Sequence, residues 1–366
     1  MGNANGGRGR KSNDYAEPCT AAATESGCGR RALTRFLRFV SGYPATVRAA
    51  LFRLSMTIAP RSLLLLLPFI AGTAAAATSV TLPGWACTQP DSVYMSAFDT
   101  AASPIPHDPS MGNGGAYPGS LMRTLHIAGL GGGTQNYYIY VPEDYDPSRP
   151  WPLLLALHGV ATVGDSEAMR TRDNWSGAAE SAGFIVAAPV PNGIYQCWDG
   201  QKYVPCESWL VPPSAGPNDY DLFAAMRADM ESAYNIERTR IYGWGFSAGG
   251  HVMHDLGLSQ HSAAFNATTM AAYAVTGADL AALACDSDAD CNNLLAQLPR
   301  KIPVDIRIGN SDPNYAYAKS DRDRFLAEGW VNRVTLFYNV FVAGHTYSIA
   351  QLSSTWANLC PNAVTP

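Results

Sequence analysis

A serine at the centre of a G-x-S-x-G motif is the first candidate for chemistry in this chain. The motif occupies residues 245–249 as Gly-Phe-Ser-Ala-Gly. Residues 241–244 before it are typical of a strand, and residues 250–254 after it are typical of a helix. The small residues around the serine allow a sharp turn that keeps Ser247 exposed. We therefore predict that Ser247 is a nucleophile, and a glycine-rich turn with an incidental serine is the alternative.

A serine hydroxyl needs a base to become nucleophilic, and the base needs an acid to orient it. On strand–turn–helix elbows of this kind, the acid and then the histidine follow the serine in the chain. His345 follows the last apolar strand, at the end of a sheet where active sites lie. His251 and His254 lie on the helix that leads away from Ser247, and His261 lies near the end of that helix. We therefore predict that His345 is the base.

The orienting acid is expected after the strand that precedes the last one. The sequence Gly-Asn-Ser-Asp-Pro follows such a strand at residues 309–313 and delivers Asp312 just past its end. An aspartate before proline is also common in ordinary turns. Asp321 and Asp323 are rival acids, but they fall within a predicted helix. We predict that Asp312 orients His345.

A tetrahedral intermediate of acyl transfer needs two N–H donors for its oxyanion. The amide of Ala248, next to the nucleophile, is expected to supply one of them. The second is expected from the loop after an earlier buried strand, where Leu-His-Gly-Val occupies residues 157–160. Gly159 permits a turn that aims the amide of Val160 at the site. We interpret His158 as a structural residue and not as a second base.

The elements that must position these residues alternate between strands and helices, which predicts an α/β fold with a mostly parallel sheet and helices on both faces. Strands are predicted at residues 121–127, 137–141, 152–157, 184–189, 240–244, 271–275, 304–308 and 334–340. Helices are predicted at residues 167–182, from a cap at Asp219 or Asp221 to 234, after 247, at 317–328 and at 348–359. Residues 191–218 are predicted to form a long loop.

Seven stretches of the chain resemble the secreted esterases and polyester depolymerases of the α/β-hydrolase superfamily. The most similar groups are feruloyl and acetylxylan esterases of carbohydrate esterase family one and polyhydroxybutyrate depolymerase-like proteins. The stretches are residues 137–142, 154–159, 183–189, 219–221, 240–250, 309–312 and 344–345. The resemblance implies the α/β-hydrolase fold and ester hydrolysis by a Ser-His-Asp triad through an acyl-enzyme. It implies no organic cofactor and no metal.

We therefore predict a serine carboxylic-ester hydrolase acting on a small-molecule or polymeric ester, of feruloyl, acetyl or polyester type. Trp198 and Trp209 are expected to form an apolar wall for the acyl or aromatic part of the substrate, unless they only pack beneath the long loop. A serine peptidase or an acyltransferase of the same fold would use the same three residues. A non-catalytic binding protein would keep the fold without them.

The charge distribution excludes one class of partner. Ten of the 25 Lys and Arg residues, but only three of the 30 Asp and Glu residues, precede residue 78. Residues 78–366 therefore carry a formal net charge of −12. A nucleic-acid partner would need a basic face, so we predict none.

The basic leading segment ends in a pattern typical of export. Arg61 precedes an apolar run at 62–71, and four alanines follow at 74–77. A positive region, a short apolar region and an Ala-x-Ala site predict a signal peptide at 56–77, cleaved near Ala77. A retained membrane anchor is the alternative, although the run is short and interrupted by proline.

The signal divides the chain into three parts. Residues 1–55 are predicted to be either a long leader or a stretch that precedes the true start at Met56. We favour a start at Met56. The mature part, residues 78–366, is predicted to be one secreted catalytic domain, extracellular or periplasmic, with no membrane partner after cleavage.

Six of the eight cysteines follow the predicted cleavage site, and an even number fits an oxidising compartment. Proximity in the sequence suggests short loops closed by Cys197–Cys206 and Cys285–Cys291. Cys87 and Cys360 would then tie together the two ends of the domain. Fifteen pairings are formally open. A zinc site is the rival hypothesis, but the sequence has no Cys-x-x-Cys pair.

Overall fold

An eight-stranded, mostly parallel sheet forms the centre of the protein. The structure is a computed structural model that describes residues 77–81, 87, 106–113, 115, 118–198 and 201–365. The strands are β1 (Ser79–Thr81), β2 (Gly119–Leu125), β3 (Gln135–Val141), β4 (Trp151–Leu157), β5 (Ile185–Pro189), β6 (Gly193–Trp198), β7 (Tyr203–Ser208), β8 (Ile236–Phe246), β9 (Ala272–Thr276), β10 (Val304–Gly309), β11 (Leu336–Phe341) and β12 (Asn362–Val364).

The order across the central sheet is β11-β10-β9-β8-β4-β5-β3-β2. Strands β5, β4, β8, β9, β10 and β11 run parallel, whereas β3 and β2 are antiparallel to their neighbours. Every residue of β4, β5, β9 and β10 is buried, which explains their continuous apolar runs. The carboxyl ends of the parallel strands therefore meet at one edge of the sheet.

Helices cover both faces of this sheet. They are α1 (Gly164–Ala182), α2 (Asp219–Ala233), α3 (Ala248–Leu258), α4 (Asp288–Ala296), α5 (Tyr315–Ala327) and α6 (Ile349–Leu359). Helices α1 and α6 pack on one face, where Phe184 stacks on Trp356 with ring centroids 3.6 Å apart. The other four helices contribute to the core on the opposite face. The predicted α/β architecture is confirmed.

Three local predictions differ from the structure. The loop predicted at 191–218 contains an antiparallel hairpin of β6 and β7, which form a two-stranded sheet of their own. Helix α4 lies in a polar segment without clear periodicity, and its N-cap Ser287 accepts a hydrogen bond from the amide of Asp290. Helix α2 is capped by Asn218, and not by Asp219 or Asp221. Asp221 completes the capping box by accepting from the Asn218 amide.

The structure contains disulfides that join Cys87 to Cys360, Cys197 to Cys206 and Cys285 to Cys291. The first bridge ties the segment at residue 87 to the end of α6. The predicted leader at 1–55 lies outside the described residues, as does the predicted signal peptide except for its last residue. Among the described residues, none of the helices combines the length and apolar character that a membrane crossing requires.

Candidate active site

Ser247 lies on a strained turn between β8 and α3. Its backbone φ is 53° and its ψ is −121°, a conformation that side-chain-bearing residues seldom adopt. A Cβ atom on Gly245 would overlap the carbonyl of Gly249, and one on Gly249 would overlap the carbonyl of Leu157. The two motif glycines are therefore needed because the turn packs tightly against itself and against the end of β4.

The turn brings Ser247 to the other two predicted residues. The Ser247 hydroxyl lies 2.7 Å from Nε2 of His345, which follows β11. Nδ1 of the same imidazole lies 2.8 Å from Oδ2 of Asp312, which follows β10. The carboxylate can only accept, so Nδ1 carries the hydrogen and Nε2 is free to accept the serine proton. The geometry is that of a hydroxyl, a base and an orienting acid.

The carboxylate of Asp312 is fixed at both oxygens. Its side chain is fully buried, and Oδ1 accepts a hydrogen bond of 2.8 Å from the amide of Asn314. The side-chain amide of Asn314 in turn donates to the carbonyl of Gly277 at 3.0 Å. Gly277 follows β9 with φ at 67°, and a Cβ atom there would lie 3.1 Å from the His345 ring and 3.2 Å from Asp312 Oδ2. The turn after β9 thus packs directly against the side chains of Asp312 and His345.

The loop that follows β4 lies against the elbow. A Cβ atom on Gly159 would lie 3.0 Å from Cβ of Ser247. The amide of Val160 has no hydrogen-bond partner among the described residues. Ala248 is the first residue of α3, where an amide has no acceptor within its own helix. These are the two amides predicted from the sequence as oxyanion donors. Ala248 directly follows Ser247, and Val160 directly follows Gly159, which lies against the Ser247 side chain.

His158 stands beside this loop without access to solvent. It is 1% exposed, and burial lowers the pKa of its imidazole, which favours the neutral ring. Its Nδ1–H donates to the carbonyl of Gly159 at 2.6 Å. Its buried Nε2 has no partner among the described residues. The geometry fits the interpretation of His158 as a structural residue.

The imidazole rings of His251 and His254 have hydrogen-bond partners other than Ser247. Nδ1 of His251 contacts the carbonyl of Asp279 at 2.9 Å. His254 is fully buried against Tyr273, and burial lowers its pKa to about 3. Among the described residues, no group of histidine, cysteine or acidic side chains has the arrangement of a metal site.

The rival acids have partners of their own. Asp321 is buried, accepts from the amide of Leu280 at 2.9 Å and pairs with Arg324 at 2.7 Å. Burial raises the pKa of this carboxyl to about 6. Asp323 is exposed and pairs with the neighbouring Arg322. Neither carboxylate contacts a histidine.

The two tryptophans predicted to line the substrate site differ in position. Trp198 is 59% exposed on the hairpin, where its ring packs edge-on against Tyr203 at 5.3 Å. Trp209 is only 3% exposed, which favours the alternative that it packs beneath the long loop. Its indole N–H donates to the carbonyl of His158 at 2.9 Å, and its ring packs against the His158 imidazole. Trp209 therefore supports the loop after β4 from below.

Gly277 and Asn314 were not among the site residues predicted from the sequence. Both are short residues that follow buried strands at the same edge of the sheet. Gly277 comes directly after β9, and Asn314 lies two residues beyond Asp312. Their position after a buried strand is the same sequence signal that predicted Asp312 and His345.

Comparisons with known proteins agree with this architecture. No family model matches the sequence. A solved structure of a ferulic acid esterase superposes with a TM-score of 0.51 at 15% identity, covering 66% of this chain and 96% of that one. The chain has the α/β-hydrolase fold. In this fold the nucleophile elbow follows a central strand, and the acid and histidine come later in the chain, which matches the chain order of Ser247, Asp312 and His345.

Two further similar proteins are esterases by name. A mutant of the feruloyl esterase module from Clostridium thermocellum, complexed with sinapinate, is 16% identical with a TM-score of 0.47. The alignment covers 71% of this chain and 94% of that one. The bifunctional acetylxylan esterase/xylanase of Neocallimastix patriciarum is 29% identical over 119 residues. That match spans 32% of this chain and 15% of the relative's length.

Proposed function

We propose that this protein is a serine esterase that hydrolyses carboxylic esters through an acyl-enzyme, with Ser247, His345 and Asp312 as its catalytic residues. The observation that carries the proposal is the pair of hydrogen bonds of 2.7 Å and 2.8 Å that links hydroxyl, imidazole and carboxylate. Their origin from three separate loops at one edge of the sheet supports it further, because simple packing does not require this alignment.

The proposed reaction begins when Nε2 of His345 takes the proton of Ser247 as Oγ attacks the ester carbonyl. The amides of Ala248 and Val160 stabilise the oxyanion of the tetrahedral intermediate. His345 then gives its proton to the leaving alcohol, and the acyl group remains on Ser247. In the second half, His345 activates a water molecule that releases the acid. Asp312 holds the imidazole tautomer and stabilises its cation throughout.

The proposed substrate is an ester with an apolar or aromatic acyl part, of feruloyl, acetyl or polyester type. Trp198 and Tyr203 present exposed rings on the hairpin, and Val160 and Val163 are half exposed on the loop after β4. Ala161 of the loop after β4 forms an antiparallel bridge with Glu207 of β7, which places the hairpin beside that loop. The named activities of the relatives support the same class.

Hydrolysis of p-nitrophenyl acetate and butyrate, methyl ferulate, acetylated xylan and a polyester film tests this proposal. We expect turnover of at least one ester and its loss in Ser247→Ala. Absence of turnover on the whole panel, or equal turnover in the variant, would contradict the proposal. Trp198→Ala should raise KM for methyl ferulate more than for p-nitrophenyl acetate, and an equal change for both would remove Trp198 from the substrate site.

We also propose that the protein is secreted. The three disulfides support this location, because such bridges persist in oxidising compartments. The export pattern around residue 77 supports it as well. N-terminal sequencing of protein collected from the medium or periplasm should find a terminus near Thr78. A mature terminus before residue 56 would contradict this.

A further inference from the structure

The orientation of the Val160 amide is coupled to a hydrogen bond made by its neighbour. The carbonyl of Gly159 and the N–H of Val160 belong to one planar trans peptide unit, so they point in opposite directions. The carbonyl accepts from Nδ1–H of His158 at 2.6 Å. The imidazole of His158 therefore determines where the Val160 N–H points.

His158 is in turn held by Trp209. The indole N–H of Trp209 donates to the His158 carbonyl at 2.9 Å, and the two rings pack with centroids 5.1 Å apart. On its other side, Trp209 packs edge-on against Phe223 of α2 at 5.5 Å. One side chain thus fixes both the backbone and the ring of His158.

The segment that carries Trp209 is anchored to the same loop at a second place. Ala161 and Glu207 exchange two backbone hydrogen bonds of 3.0 Å and 2.7 Å. The carboxylate of Glu207 also accepts from the amide of Gly164 at 2.8 Å. The disulfide between Cys197 and Cys206 closes the hairpin one residue before Glu207. The loop after β4 is therefore held on both sides of Val160 by the hairpin and the residues that follow it.

The buried carboxylate of Asp219 fixes the two ends of the hairpin segment. It accepts from the side-chain amide of Asn192 at 2.6 Å, just before β6. It also accepts from the amide of Leu210 at 2.7 Å, directly after Trp209. The position of the indole is thus determined from α2 as well as from the hairpin.

We propose that Trp209 is a positioning residue for the oxyanion hole and acts through His158 on the amide of Val160. The hairpin insertion is then part of the catalytic machinery and does more than supply a surface for substrate. This inference rests on the proposed esterase function. It predicts that loss of the indole donor impairs the transition state and leaves substrate binding unchanged.

The test is Trp209→Phe in the full chain, with Trp175→Phe as the matched control. Phenylalanine keeps an aromatic ring but leaves the His158 carbonyl without its donor. Trp175 is equally buried, and its indole N–H has no partner among the described residues. The readouts are kcat and KM on a p-nitrophenyl ester and the affinity for a trifluoromethyl ketone, whose adduct with a serine carries an oxyanion.

Removing one oxyanion donor outright typically costs a factor of about 100 to 1,000 in kcat, so a misdirected donor should cost roughly tenfold. We expect Trp209→Phe to lower kcat and ketone affinity by similar factors while KM stays within about twofold. Trp175→Phe should change neither quantity. Unchanged kcat and ketone affinity in Trp209→Phe, or a change confined to KM, would overturn the inference.

Two further measurements keep the outcome clear. If Trp209→Phe does not fold, 3-benzothienylalanine is placed at position 209, because it keeps both rings and removes only the N–H donor. The same changes in kcat, KM and ketone affinity are expected for that variant. Ester turnover by the wild-type chain and its dependence on Ser247 are measured in parallel. If wild-type turnover is present and Trp209→Phe is unaffected, only the positioning inference fails. If wild-type turnover is absent, the proposed function itself fails.

Discussion

At the residue scale, Asp312 differs from the other two acidic candidates in what its carboxylate contacts. It accepts from Nδ1 of His345, whereas Asp321 binds the Leu280 amide and Arg324, and Asp323 pairs with Arg322. Asp312→Asn should lower kcat at least about a hundredfold, because an amide no longer enforces the required tautomer. Asp323→Asn should retain wild-type kcat in steady-state assays. Loss of activity in Asp323→Asn with full activity in Asp312→Asn would refute the assignment.

The sequence predicted Ser247, His345 and Asp312 because each follows a recognisable strand in a fixed chain order. The burial of a loop side chain could not be predicted in the same way, because a tryptophan in a polar loop has the same sequence signature whether it faces substrate or the core. The sequence therefore left both roles open for Trp209, whose side chain is only 3% exposed. Its hydrogen bond to His158 joins residues 51 positions apart and has no local signal.

At the element scale, the turn after β9 should be as sensitive as the elbow itself. Gly277→Ala introduces a Cβ atom about 3 Å from both His345 and Asp312 at a positive φ, where alanine is strained. We expect kcat to fall by roughly tenfold or more with a modest loss of stability. Gly177→Ala is the control, because that helical glycine is exposed and has open space around it. Equal kcat in the two variants would show that the β9 turn does not shape the site.

The strands of the sheet were predicted within a few residues, because continuous apolar runs are typical of parallel strands buried on both faces. The hairpin of β6 and β7 was not predicted, because half of its residues are exposed and it forms a two-stranded sheet separate from the central one. Helix α4 was missed because its stability depends on an N-cap and two buried side chains, Cys291 and Leu295, in an otherwise polar segment.

At the scale of the whole molecule, two buried carboxyls should make stability depend on pH. Burial raises the pKa of both Asp219 and Asp321 to about 6, above the ordinary value of 3.8. The folded state therefore binds these protons more tightly than the unfolded state. Their contribution to stability is fully present below pH 4 and is lost as the pH rises through 6.

Asp219→Asn should remove the contribution of Asp219 to the pH dependence of the free energy of unfolding. Asparagine does not titrate, so the variant should gain stability relative to wild type between pH 4 and pH 7, by up to about 3 kcal/mol. A constant offset from lost hydrogen bonds to Asn192 and Leu210 does not alter that trend. Urea unfolding at several pH values measures it, with Asp321→Asn as a second arm. A free-energy difference that stays constant with pH in both variants would contradict the expectation.

The central claim is that Ser247 is an activated nucleophile, and covalent labelling tests it most directly. The full chain is incubated with a fluorophosphonate, and intact mass and peptide mapping follow the adduct. We predict one adduct per chain, located on Ser247, with strongly slowed labelling in His345→Ala and none in Ser247→Ala. An unlabelled wild-type protein with native circular dichroism, or an adduct that persists in Ser247→Ala, would contradict the account.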